Sequence, residues 1–135
     1  MALKNLLQDA PKQAFVVSHH DEKAFHGDGL RRYATYRDLG FAKATGGLVE
    51  AQVIRLKSPC TDEVRQRHYH DVDLQMVFVL KGMMKIEIEG HGEVTMRAGS
   101  AFIVPAKARH TVLDYGGDCE VLEINMPSNF ATVKV

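Results

Sequence analysis

Two cysteines, Cys60 and Cys119, are all that this chain contains. That is too few for the disulfide framework of a small secreted domain, and a reducing cytoplasm is the expected compartment. Net charge is also missing, because 17 basic side chains balance 17 acidic ones. A chain without a basic footprint is a poor match for nucleic acid or an anionic membrane surface. No apolar run approaches the roughly 18 residues of a spanning helix. The N-terminus carries no hydrophobic stretch of the signal-peptide kind. Internal repeats, low-complexity tracts and a convincing long helix are absent as well. What remains is the composition of an ordinary globular protein, and residues 1–135 are expected to form a single domain with one proper core.

Short apolar segments separated by turn signals dominate the chain. Leu3, Leu6 and Leu7 make one helical stripe that Pro11 stops, so residues 1–10 read as a short N-terminal arm. Gln13 to Ser18, with Phe15, Val16 and Val17, reads as a short strand, and His19-His20-Asp21 as a solvated loop. Further strands are expected at Leu30–Tyr36, Leu48–Leu56, Val64–His70, Gln75–Leu80, Met83–Glu89, Glu93–Arg97, Ala101–Val104, His110–Tyr115 and Glu120–Met126. Glu89-Gly90-His91-Gly92 reads as a hairpin tip and Gly116-Gly117-Asp118 as another turn. Many short strands at this spacing argue an antiparallel sandwich or barrel, with its core over about residues 48–127 and an arm and extra strands over 1–47. Met84, Ile86 and Ile88 alternate with charged residues, giving one buried and one wet face. Met76 to Leu80 is apolar on both faces, so a second sheet or a partner subunit should cover its outside.

The chemistry-bearing stretch is Arg67 to Gln75. His68 and His70 are two apart, and in an extended strand they project from the same face. Imidazole is the commonest side-chain metal ligand, and a strand fixes both rings before the metal arrives. Tyr69 and Arg67 alternate away from that face. Downstream, Gln75, Gly82, Gly99, Pro105 and His110 follow at set intervals. In this arrangement the chain resembles the cupin superfamily. The family's first motif runs G-x5-H-x-H, three or four residues, E-x6-G, and its second runs G-x5-P-x-G-x2-H-x3-N. His68, His70 and Gly82 match the first, and Gly99, Pro105 and His110 match the second. The resemblance covers about residues 62–114. Four positions depart from it: Asp62 for Gly, Gln75 for Glu, Lys107 for Gly and Asp114 for Asn.

The resemblance implies an all-β, antiparallel double-stranded β-helix, the jelly-roll cupin barrel, with a short N-terminal arm. It also implies a divalent transition metal (iron, manganese, nickel or zinc) held by His68, His70 and His110, with Gln75 at the carboxylate position. A neutral amide there leaves the site one charge more positive than a three-His, one-Glu site, and Gln75 cannot serve as a general base. Asp114 is a candidate pocket acid or a rim residue, and either face of Glu120–Met126, the one with Glu123 or the one opposite, could line the barrel. Cys60 reads as a small buried loop residue, and His91 as solvated. The implied function is an iron or manganese dioxygenase-like enzyme acting on a small organic molecule, since such chemistry needs no side chain beyond the ligands. The alternatives are a non-catalytic module that binds a small ligand or a metal, and a metal-assisted isomerase, which the loss of the carboxylate at Gln75 disfavours. Small cupins of this kind commonly form homodimers.

Overall fold

The computed structural model describes residues 13–27 and 32–135. The arm expected over residues 1–10, and the start of the strand expected at Leu30, lie outside these. Eight strands form one curled antiparallel sheet: β1 (Ala34–Asp38), β2 (Glu50–Leu56), β3 (His68–His70), β4 (Leu74–Ile88), β5 (Gly92–Arg97), β6 (Ala101–Val104), β7 (His110–Met126) and β8 (Thr132–Lys134). A four-residue helix, α1 (Phe41–Ala44), joins β1 to β2. The expected antiparallel jelly-roll barrel is therefore the observed fold. Among the described residues, no helix is long and apolar enough to cross a membrane.

Two long strands are the spine. β4 and β7 pair from Leu74 opposite Met126 to Ile88 opposite His110. On its other edge β4 takes β6 along its first part and β5 along its second. β7 takes β2 over Glu120–Asn125, with β1 beyond it, and meets β3 at His110, with β8 beyond that. Each spine strand was expected as two shorter ones, broken near Gly82 and at Gly116-Gly117-Asp118. Both instead run through as continuous bent strands, because these glycines face each other. A Cβ on Gly82 would lie 2.3 Å from the Gly116 carbonyl oxygen and 2.7 Å from that of Gly117. Gly82 also has φ +75°, a region open to glycine at little cost. The glycines that read as turns are where two strands touch and bend together.

The bend reverses which residues face inward. Gln75, Val77 and Val79 are buried before it, and Met84, Ile86 and Ile88 after it. The apolar ones among these, with Ile54, Val64, Met96, Tyr115, Cys119 and Val121, build the barrel's core. The outward face of β4 is covered only in part: Met76 and Phe78 are half-buried, whereas Leu80 and neighbouring Ile103 of β6 are exposed. On β2 the residues that alternate with the cavity-lining set, Ala51 and Val53, are buried as well.

Three local expectations are corrected. Gln13–Ser18 is exposed throughout and forms no strand; the Ala14 N–H donates to the Ala44 carbonyl, and the Ser18 hydroxyl accepts from Arg37. Residues 64–67 are turn and loop, so the strand there is confined to His68–His70. The chain also adds β8 beyond residue 127, which pairs with β3 through Tyr69 opposite Val133.

Candidate metal centre

β3 presents His68 and His70 from one face, and its pairing with β7 sets His110 directly across from His68. The three rings lie with centroids 4.4 to 5.3 Å apart, His68 and His70 edge to face and His110 tilted against both. Each ring is oriented through Nδ1. His68 bonds the Gln66 carbonyl at 2.8 Å, His110 the Ala108 carbonyl at 3.0 Å, and His70 the Thr132 hydroxyl at 2.8 Å. A carbonyl only accepts, so Nδ1 of His68 and His110 carries the proton and Nε2 is the nitrogen that can turn to a metal. One potential ligand atom from each histidine lies within 4.8 Å of the other two. The described residues contain no other cluster of three or more His, Cys, Asp or Glu side chains placed to hold a metal. His19, His20 and Asp21 do not converge, and the His20 ring bonds Glu22 instead. Burial depresses the His110 pKa, with the His68 and Arg67 charges adding to the effect and the bond to Ala108 opposing it. A neutral imidazole is the form that ligates. Three such rings fit a divalent transition metal.

The histidines form one wall of a cavity of about 130 Å³ inside the barrel. Gln75 lines it and is nearly fully buried. Apolar side chains such as Ile54, Val77, Met84 and Phe102 make much of the remaining wall, with Tyr33 and Tyr36 among them. The undecided strand face is also resolved. Glu123 and Val121 point into the cavity, and Gln52 of β2 pairs with Glu123 across the ladder. Asn125, completely buried, donates from Nδ2 to Glu123 Oε1 at 2.8 Å. A carboxylate therefore lines the cavity even though position 75 lacks one, and it is a group that can accept a proton.

A β-bulge explains why this face was hard to read. Ile86 pairs with Val112 and Lys85 with Asp114, so Leu113 is the extra residue on β7. From His110 and Val112 the inward set shifts to Tyr115, Cys119, Val121, Glu123 and Asn125. Asp114 turns out to be exposed and accepts from its neighbour's N–H at Tyr115, which makes it a rim residue. Arg67 is ion-paired with Glu87, a structural role, and His91 is exposed at the hairpin tip. Cys60 and Cys119 are buried free thiols, and burial raises both pKa values. Lys107, where the family pattern has glycine, keeps the left-handed backbone at φ 61°. The turn retains its geometry although the glycine is gone, at a strain of order 1 kcal/mol.

Residues 61–125 match the family model described as "Cupin domain". No curated protein matches the chain. Among solved structures, KdgF from Halomonas sp. superposes with a TM-score of 0.65 at 19% identity, covering 86% of this chain and 96% of that one. The polyketide cyclase RemF from Streptomyces resistomycificus gives 0.65 at 17% identity, covering 88% and 85%. A salicylate 1,2-dioxygenase from Pseudaminobacter salicylatoxidans gives 0.62 at 12% identity, covering 78% of this chain but 31% of that larger one. At such identities the likeness is one of fold.

Proposed function

We propose, on the premise that residues 61–125 form a cupin domain, that this chain is a metal-dependent enzyme acting on a small organic molecule in the barrel cavity. The observation that carries this reading is the convergence of three imidazoles on one wall of a largely apolar cavity. His68, His70 and His110 would be the ligands. Gln75 would offer its amide oxygen or hydrogen-bond a ligand of the metal. A divalent metal there supplies Lewis acidity and, if it is iron or manganese, the redox capacity of dioxygenase-like chemistry. The chain's own part is to orient the ligands through Gln66, Ala108 and Thr132 and to hold substrate against an apolar wall that excludes water. Elemental analysis of protein purified without chelators should find about one transition metal per chain, lost in His68→Ala and His110→Ala. Metal-free wild-type protein with the fold intact would sink the reading. Oxygen consumption by iron-loaded protein with catechols, diketones and thiols tests the dioxygenase chemistry.

A second reading rests on Glu123. A carboxylate in the cavity supports proton-transfer chemistry, such as isomerisation, which Gln75 alone disfavoured. Substrate turnover without oxygen uptake, with solvent deuterium entering the product, would favour it over oxygenation.

We also propose a homodimer. Phe15 is 94% exposed and Ile103 58%, and with Leu80 they leave apolar surface that a second copy would cover. Sedimentation equilibrium should give twice the chain mass, and Ile103→Lys should shift it toward the monomer. The two free thiols fit a reducing cytoplasm.

A further inference from the structure

Among the described residues, two buried side-chain polar atoms have no hydrogen-bond partner, Arg37 Nε and Asn125 Oδ1. The Arg37 guanidinium is anchored all the same, since its Nη1 donates to the Ser18 hydroxyl and the His19 carbonyl. Asn125 is the sharper case. It is wholly enclosed, and buried acceptors in native proteins are nearly always satisfied. The chemistry of Glu123 fixes which end of the amide faces it. An ionised carboxylate only accepts, so Nδ2 faces Oε1, at 2.8 Å, and Oδ1 is left to the flanking strands.

Side chains directly opposite in an antiparallel pair rise from the same face, with Cβ atoms about 4.5–5.5 Å apart. Asn125 has two such neighbours, Glu50 of β2 and Gln75 of β4. An ionised Glu50 offers only acceptors, whereas Gln75 carries an amide with two N–H donors. Gln75 is nearly fully buried and lines the cavity that the three histidines wall. We propose that Asn125 positions Gln75: Oδ1 accepts an N–H from Gln75 Nε2, which turns the other end of that amide, Oε1, toward His68, His70 and His110. The inference rests on the histidine cluster being a metal centre, and it makes Gln75 a ligand through its oxygen rather than a donor to some other ligand. Orientation matters because an amide is two-ended. Its NH2 group only donates and cannot ligate a metal, so with Nε2 engaged only the useful end is presented. Glu123, Asn125 and Gln75 then form a chain in which every donor points toward the carboxylate. Each bond polarises the next in the same sense and pushes electron density toward Gln75 Oε1. Through Asn125, the charge at position 123 strengthens the neutral ligand that stands where the family pattern has glutamate.

Cobalt(II) loaded into the full chain reports affinity and also coordination, through visible d–d bands that respond to the loss of a ligand. Asn125→Leu removes the acceptor at similar volume. It should bind cobalt at least about tenfold more weakly in competition with a chelator, and its spectrum should move to that of Gln75→Leu. Gln75→Glu separates positioning from packing, because a carboxylate presents oxygen at both ends. Adding Asn125→Leu to Gln75→Glu should therefore cost no further affinity. A crystal structure of the zinc-loaded wild type needs no variant to fold, and in it Gln75 Nε2 should lie within about 3.2 Å of Asn125 Oδ1. Three results overturn the proposal: Oδ1 taken by Glu50 or by water in that structure, a Gln75→Leu spectrum identical to the wild type's, or an equal loss from Asn125→Leu with Gln or Glu at position 75. Metal content measured on the same samples separates the two levels. Wild-type protein that takes up no metal overturns the centre and this inference together, whereas loaded protein giving any of those three results overturns this inference alone.

Discussion

Gly82→Ala isolates the contact on which the barrel's spine depends. The substitution adds one methyl group at φ +75°. The backbone strain alone costs about 1–2 kcal/mol for a non-glycine residue in the left-handed region. Sterics add to it, because the new carbon would sit 2.3 Å from the Gly116 oxygen, 2.7 Å from the Gly117 oxygen and 3.0 Å from the Cys119 Cα. All three are backbone atoms of β7, so no side chain can rotate out of the way. Relief requires β4 and β7 to separate at their bend, where both strands are committed to pairing on either side. Overpacking of that kind typically costs a further 1–3 kcal/mol. The total, roughly 2–5 kcal/mol, is a large share of the 5–15 kcal/mol that stabilises a typical domain. Gly99→Ala is the matched control, since Gly99 has φ +94° but no atom within 4 Å of its would-be Cβ. It should cost only the strain. Urea unfolding followed by far-UV circular dichroism suits both variants, because the chain lacks tryptophan. Equal losses in the two variants would refute the steric argument and leave positive φ as the whole requirement.

Further outcomes follow from the site and its surroundings. Gln75→Glu should raise metal affinity by adding a carboxylate to a three-imidazole set, measured by competition with a chromophoric chelator; unchanged affinity would put residue 75 out of reach of the metal. Thr132→Val removes the hydroxyl that orients His70, and metal affinity should fall about 10–100-fold with the fold retained. The pKa of Cys119 is pushed up to about 11 and that of Tyr115 to about 12, both chiefly by burial. Between about pH 9 and 12 the unfolded chain therefore releases these protons while the native one keeps them. Stability should fall with rising pH across that window, visible as a declining melting temperature above pH 9. For the same reason Cys119→Ser should flatten the early part of the decline.

Most of the fold was legible because alternation and turn residues report local conformation directly. Met84, Ile86 and Ile88 declare a half-buried strand, and the tip at Glu89–Gly92 declares its hairpin. What sequence could not convey is parity across irregularities. A one-residue bulge at Leu113 moves every later inward residue of β7 to the other register, and the bend at Gly82 does the same on β4. For the same reason His68, His70 and His110 could be brought together from sequence, since two share one short strand and the third opens another, upstream of the bulge. Glu123 lies ten residues beyond the bulge, and its facing depends on it. The consequence reaches the chemistry. With Glu123 left undecided, Gln75 appeared to remove the site's only carboxylate, and proton transfer lost its most obvious base. With the bulge in place, the acidic group is not missing but displaced, from the strand that follows the His68–His70 pair to the strand that carries His110. A carboxylate at position 75 would add its charge to a metal held by the histidines, whereas the one at position 123 lines the cavity from β7. The departure from the family's pattern at Gln75 and the acidic residue in the cavity thus belong to one arrangement.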